Sequence, residues 1–158
     1  MRGIIGVTTA LLLLLPQFAW GQGERARVGM RTVGSLEIVL YVWGPQQVIY
    51  PKGHTVPETG EPPTHHLDVT VYDHRRGMYV PYLHVKATVT DVTTKRDFSV
   101  ALEPMIAEWL HYGANIRLPH SGSYSILVDV QPPDVARHKH LAEVWSTPAQ
   151  AVFVFEYR

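Results

Sequence analysis

Along several stretches of this chain, apolar and polar residues alternate with a period of two, and no long segment repeats with helical spacing. Leu67, Val69 and Val71 are interleaved with His66, Asp68, Thr70 and Tyr72. Leu83, Val85, Ala87 and Val89 are interleaved with His84, Lys86 and Thr88, and Tyr124, Ile126, Val128 and Val130 with Ser125, Leu127 and Asp129. Neighbouring side chains on a strand point to opposite faces, so this period predicts strands with one buried face. The β-branched and aromatic run at 152–157, and the segments 35–42 and 98–102, predict further strands. Gly44-Pro45, Pro51-Lys52-Gly53, Glu61-Pro62-Pro63, Ser121-Gly122 and Pro132-Pro133 read as turns or loops, and 57–64 as a polar, proline-rich loop. Short strands between turns predict an all-β fold, an immunoglobulin-like antiparallel β-sandwich.

The N-terminus departs from that pattern. Met1 and Arg2 make a positive start, and an apolar run at 4–15 is interrupted only by Gly6, Thr8 and Thr9. Pro16 breaks it, and Ala19-Trp20-Gly21 supplies small residues before a cleavage point. This is the layout of a secretory signal peptide, and the run is too short for a comfortable membrane span. Residues 1–21 are therefore expected to be a signal peptide and 22–158 a single exported domain. Its 14 Lys and Arg balance 14 Asp and Glu, so nothing suggests nucleic acid or an anionic membrane as partner.

The chain has no cysteine. That excludes blue-copper and zinc-thiolate sites and thiol catalysis, all of which need a thiolate. It has nine histidines, which points any chemistry toward metal ligation. His66 and Asp68 lie two apart, so they share one strand face, opposite Leu67, and can share a metal or act as imidazole and orienting carboxylate. The residues alone equally allow two ordinary surface side chains. His65 belongs to Leu67's side. Met105 and His111 flank a short connection that can bring a soft thioether, the natural partner of copper, beside an imidazole. Met105 can instead be core filler, and Trp109 either a water shield or core. His138 and His140 form a spaced pair in the loop before the last strand, and serve as a chelating pair or as solvated histidines. No glycine-flanked nucleophile, zinc-protease helix or phosphate loop is present, so the chain is not expected to be an enzyme.

In order, these pieces resemble the periplasmic iron-transport protein family, small exported copper- and iron-binding proteins of high-affinity ferrous iron uptake. The resemblance is carried by 64–70 (THHLDVT), 80–85 (VPYLHV), 111–117 (HYGANIR), Pro132-Pro133, and Arg137-His138 followed by Trp145, Pro148 and the terminal aromatic strand. It covers nearly all of the exported part. It implies that His66, Met105, His111 and His138 are copper ligands, with Asp68 standing where the family has a glutamate implicated in a second or shifting metal position. It also implies an immunoglobulin-like sandwich, a homodimer with metal near its interface, and a periplasmic location. Met105 and His111 are one residue closer than the family pattern. His84 replaces a small polar residue; it would add a ligand if its strand paired with that of His66, and is otherwise an ordinary exposed histidine.

On these assignments, the imidazoles and the thioether are uncharged, which favours Cu(I), or Cu(II) with Asp68 as an added anionic oxygen. Such oxygen also suits iron. Imidazole must be unprotonated to bind, so affinity is expected to fall below about pH 6.5. The role implied is to bind or oxidise ferrous iron and pass it to an inner-membrane permease. Two rival readings stand beside it. One is a periplasmic copper buffer with the same site; the other is a non-metal interaction module with incidental histidines. The last gains if His66, His111 and His138 lie far apart, and loses if they converge.

Overall fold

A computed structural model describes residues 25–53 and 61–158. The expected signal peptide, and much of the loop at 57–64, lie outside the described residues. The strands are β1 (Ala26–Val33), β2 (Leu36–Trp43), β3 (His65–Asp73), β4 (Met78–Tyr79), β5 (His84–Asp91), β6 (Asp97–Ile106), β7 (Leu110–Ile116), β8 (Gly122–Gln131) and β9 (Ala149–Tyr157). The described helical structure is a single 3-10 turn, Lys139–Leu141. All pairings are antiparallel, in the order β1-β2-β3-β7-β6-β5-β8-β9, with the short β4 beside β3.

β6 makes this run of strands into a sandwich. Its first half pairs with β5, from Asp97 opposite Thr90 to Leu102 opposite Val85. Its second half pairs with β7, from Glu103 opposite Gly113 to Ile106 opposite Leu110. One strand thus serves both sheets, and β1 closes on β9 at the far side, where the Phe153 ring lies 3.2 Å from the point a Gly29 side chain would occupy. The expected sandwich is therefore present, and nearly closed like a barrel.

Between the layers lies the core. Ile38 and Leu40 of β2, Leu67 and Val69 of β3, Ala87 of β5, Ile126 and Val128 of β8 and Phe153 of β9 are all buried. Of these, Leu67, Val69, Ala87, Ile126 and Val128 are apolar members of the alternating runs, so the period alone assigned their face. Buried side chains of this size are each worth roughly 1.5–3 kcal/mol relative to exposure.

Three strands were not expected. β7 does alternate, with Tyr112, Ala114 and Ile116 against His111, Gly113 and Asn115, but glycine and asparagine are poor strand formers and hide it. In β1 the period is interrupted by a register shift between Arg27 and Gly29. β4 has only two residues. β6 also runs beyond the expected 98–102, carrying Met105 on the strand itself.

Candidate metal centre

The outer face of β3 is not a surface. His66 is 2% exposed and Asp68 1%, although both point away from the core. The alternative of two ordinary surface side chains is thereby excluded. The segment after β2 folds back over it and is pinned by Asn115, whose Oδ1 accepts from the Gln46 backbone N–H at 3.0 Å and whose Nδ2 donates to the Gln46 carbonyl at 2.8 Å. Trp43 adds its ring edge-on to His66, at 6.3 Å between centres.

These contacts decide the state of His66. The Gln46 backbone leaves Asn115 one orientation, with its oxygen toward His66 Nδ1 at 2.9 Å. An amide oxygen only accepts, so Nδ1 carries the proton and Nε2 keeps a free lone pair. Burial pushes the His66 imidazole below the ordinary histidine pKa; the Asn115 hydrogen bond pulls it up and the nearby His111 pulls it down. Its Nε2 lies over Gly113, where an added Cβ would stand only 2.6 Å away. Gly113 is thus the space that lets the ring lie across β7.

His111 is two residues from Gly113 and shares its face. Its Nδ1 is 3.3 Å from the Trp109 carbonyl, an acceptor, so Nε2 is again the free nitrogen. The His66 and His111 ring centres are 6.4 Å apart and steeply inclined. A nitrogen about 2.0–2.1 Å from a metal puts its ring centre about 3.2 Å from it, so the pair stands at the outer limit of sharing an ion. Met105 is directly opposite His111 in the β6–β7 ladder. The shorter spacing in this chain therefore keeps the thioether beside the imidazole. His66, Met105 and His111 line one cleft of about 740 Å³, with Trp43 and Glu103.

Asp68 stands opposite Gly113, between the histidines' positions. Its Oδ2 pairs with Arg25 at 2.9 Å, while its Oδ1 is buried without a hydrogen-bond partner. Burial pushes this carboxyl above the usual range, against the opposing pull of His111 and Arg25, with Glu108 adding to the rise. The Arg25 guanidinium carbon lies 3.7 Å from the Tyr41 ring centre, 4.6 Å from Trp109 and 4.9 Å from Trp43. Such contacts contribute about 0.5–2 kcal/mol each.

The other candidate histidines, all among the described residues, lie elsewhere. His138 is exposed and caps the 3-10 turn, with its ring 5.8 Å from that of His140. Arg137 clamps this loop by donating to the carbonyls of Pro133, Val144 and Trp145. Trp145 in turn donates to Asp73 at 2.8 Å. Asp73 is at the opposite end of β3 from His66, roughly 20 Å along the strand, so the chain does not bring its own His138 to His66. His84 is exposed on β5, which pairs with β6 and β8 and not with β3, so it is the ordinary exposed histidine and not an added ligand. His65 does lie on Leu67's side, packed edge-on against Tyr157 at 4.5 Å.

Among the described residues, no three histidine or carboxylate side chains gather around one point. Any metal on His66 and His111 therefore needs Met105 or a donor from outside the cleft. Two neutral imidazoles and a thioether suit a soft ion, and the buried Asp68 Oδ1, which has no hydrogen-bond partner, is an oxygen with donor capacity to spare. Sequence reasoning had assigned no role to Asn115, Gly113, Gln46 or Arg25. The period of two in His111, Gly113 and Asn115 was the available signal for the first two.

A family model described as Fe2+ transport protein matches residues 61–158. The UPF0423 protein of Brucella abortus (strain 2308) is 30% identical over 91 residues, which are 51% of this chain and 50% of that protein. The chain spans about half the length of the curated relatives it matches. FetP of uropathogenic Escherichia coli strain F11, produced in the periplasm, superposes with a TM-score of 0.70 at 22% identity, over 85% of this chain and 96% of that one. Copper-reconstituted P19 of Campylobacter jejuni gives 0.71 at 21% identity, over 85% and 97%. Both likenesses establish the shared fold.

Proposed function

The chain belongs to the Fe2+ transport protein family, and from that premise we propose that it is a periplasmic metal-binding protein that assists ferrous iron uptake. In this reading it holds copper through His66, Met105 and His111. It binds iron as cargo and delivers it to an inner-membrane permease, acting as a carrier and not as an enzyme. The observation that carries the reading is the pair of imidazoles, His66 and His111, each engaged through Nδ1 so that Nε2 is the free nitrogen, lining one cleft with Met105. Export through residues 1–21 gives the location. Copper, when bound, supplies a redox-active ion; the chain's own residues fix the ligands' tautomers and exclude water with Trp43 and the 44–51 segment.

His138 takes its place as a ligand only across a homodimer contact, because its own chain holds it at the other end of the sheet. His138→Ala should then weaken copper binding while leaving copper on His66 and His111.

The test is Cu(I) titration of the wild type against the His66→Ala/His111→Ala double variant. The variant should lose the high-affinity site; equal stoichiometry and affinity would sink the proposal. Growth of a deletion strain under iron limitation, as against copper excess, separates iron uptake from copper buffering.

A further inference from the structure

We infer that Arg25 determines which metals the proposed centre accepts, by holding the Asp68 carboxylate away from the ion and so favouring a soft, monovalent one. The inference rests on the metal-binding reading above.

The ion pair is built, not incidental. Arg25 and Asp68 meet at 2.9 Å, with side chains 20% and 2% exposed. Tyr41, Trp43 and Trp109 form a box around the guanidinium. Arg25 comes from the residue before β1, whereas the donors are on β3, β6 and β7. It therefore touches the carboxylate without supplying any other part of the site.

Asp68 is only half satisfied by this arrangement, since Oδ1 has no hydrogen-bond partner. A carboxylate with a buried, orphaned oxygen is a donor in search of a cation. It shares a face with His66 and stands diagonally across from His111. A pair of histidines and one carboxylate is the donor set that suits Fe(II) and related harder divalent ions, whereas imidazole with thioether suits Cu(I). While Arg25 is seated, the Asp68 charge is already neutralised and a second cation beside it is repelled. His66, Met105 and His111 then act as uncharged donors, without the Asp68 carboxylate. When Arg25 leaves, the same face offers an anionic oxygen.

The probe is Mn(II), read as the free aquo ion by electron paramagnetic resonance, with Cu(I) affinity measured in parallel by chelator competition. Arg25→Gln should bind Mn(II) at least tenfold more tightly than the wild type. Arg25→Lys, which keeps the charge, should stay close to the wild type. Arg25→Gln combined with Asp68→Asn should lose the gain. Arg25→Met should reproduce Arg25→Gln, which guards against a fault of one substituted side chain. Equal Mn(II) affinity in wild type, Arg25→Gln and Arg25→Met overturns the inference, as does a gain that survives Asp68→Asn. Failure of the wild type to bind Cu(I) overturns the copper reading instead, and is seen in a separate measurement.

Discussion

The Nδ1 of His66 lies 2.9 Å from the Oδ1 of Asn115, and the backbone of Gln46 decides which of the two carries the proton. Asn115 cannot turn its amide without losing both Gln46 bonds. It therefore holds His66 in the tautomer whose Nε2 is free. Asn115→Ala should lower copper affinity 10- to 100-fold, the usual effect of losing a partner behind a ligand. Competition titration with a Cu(I) chelator measures it; unchanged affinity contradicts the role of the amide.

Gly113 makes a second prediction, about space. A Cβ there would meet His66 Nε2 at 2.6 Å and the Leu67 carbonyl at 3.1 Å. Gly113→Ala should cost about 1–3 kcal/mol of stability through overpacking. It should also weaken copper binding at least tenfold, because the imidazole must move off the face. Denaturant unfolding and copper titration on one sample check both; tight copper binding with an intact fold would contradict the steric account.

Tyr112 separates stability from function. Its hydroxyl donates to the Val80 carbonyl at 2.7 Å and accepts from the Leu83 N–H at 3.0 Å, tying β7 to the segment before β5. Its ring faces the core, opposite to the His111 face. Tyr112→Phe leaves both backbone groups unpaired and should cost about 1–3 kcal/mol. Copper affinity should stay within about threefold of wild type, below half a decade in free-energy terms.

Acid stability should depend on Asp73. Burial raises its pKa, but hydrogen bonds from Trp145, Arg76, the Arg75 backbone and Ser35 outweigh this and hold it down to about 2. The unfolded state then binds the proton more readily than the folded one. The stabilisation is complete above the unfolded value near 3.8 and is lost as pH falls from there toward about 2. Urea unfolding at pH 5, 3 and 2 should show a steeper loss for wild type than for Asp73→Asn. The variant should also have the lower midpoint at pH 5; parallel curves would contradict the assignment.

How much of this was legible beforehand differs from residue to residue. Leu67, Val69 and Val71 revealed their face, because a strand's period is local and one-dimensional. Met105 and His111 were legible as flanks of a connection, and the three-residue turn between β6 and β7 does put them opposite each other. His66 and Asp68 were legible as sharing a face, but not as buried. Burial came from residues distant in sequence, Gln46 and Arg25, whose contacts no period encodes. Which strand lies beside His84 was not legible, because alternation assigns a face and not a neighbouring strand.

The sequence by itself thus determined the regularly alternating strands, their inward faces and, through family resemblance, the residues suited to a metal. Only the tertiary structure decided that β6 serves both sheets, that Gly113 makes room for His66, that Asn115 sets its tautomer and that Arg25 holds Asp68. It also separated His138 from its expected companions within one chain. The physical reason is the range of the interactions. Side-chain direction follows from the backbone of adjacent residues, whereas hydrogen bonds, ion pairs and enclosed space depend on which strands meet, and in what register.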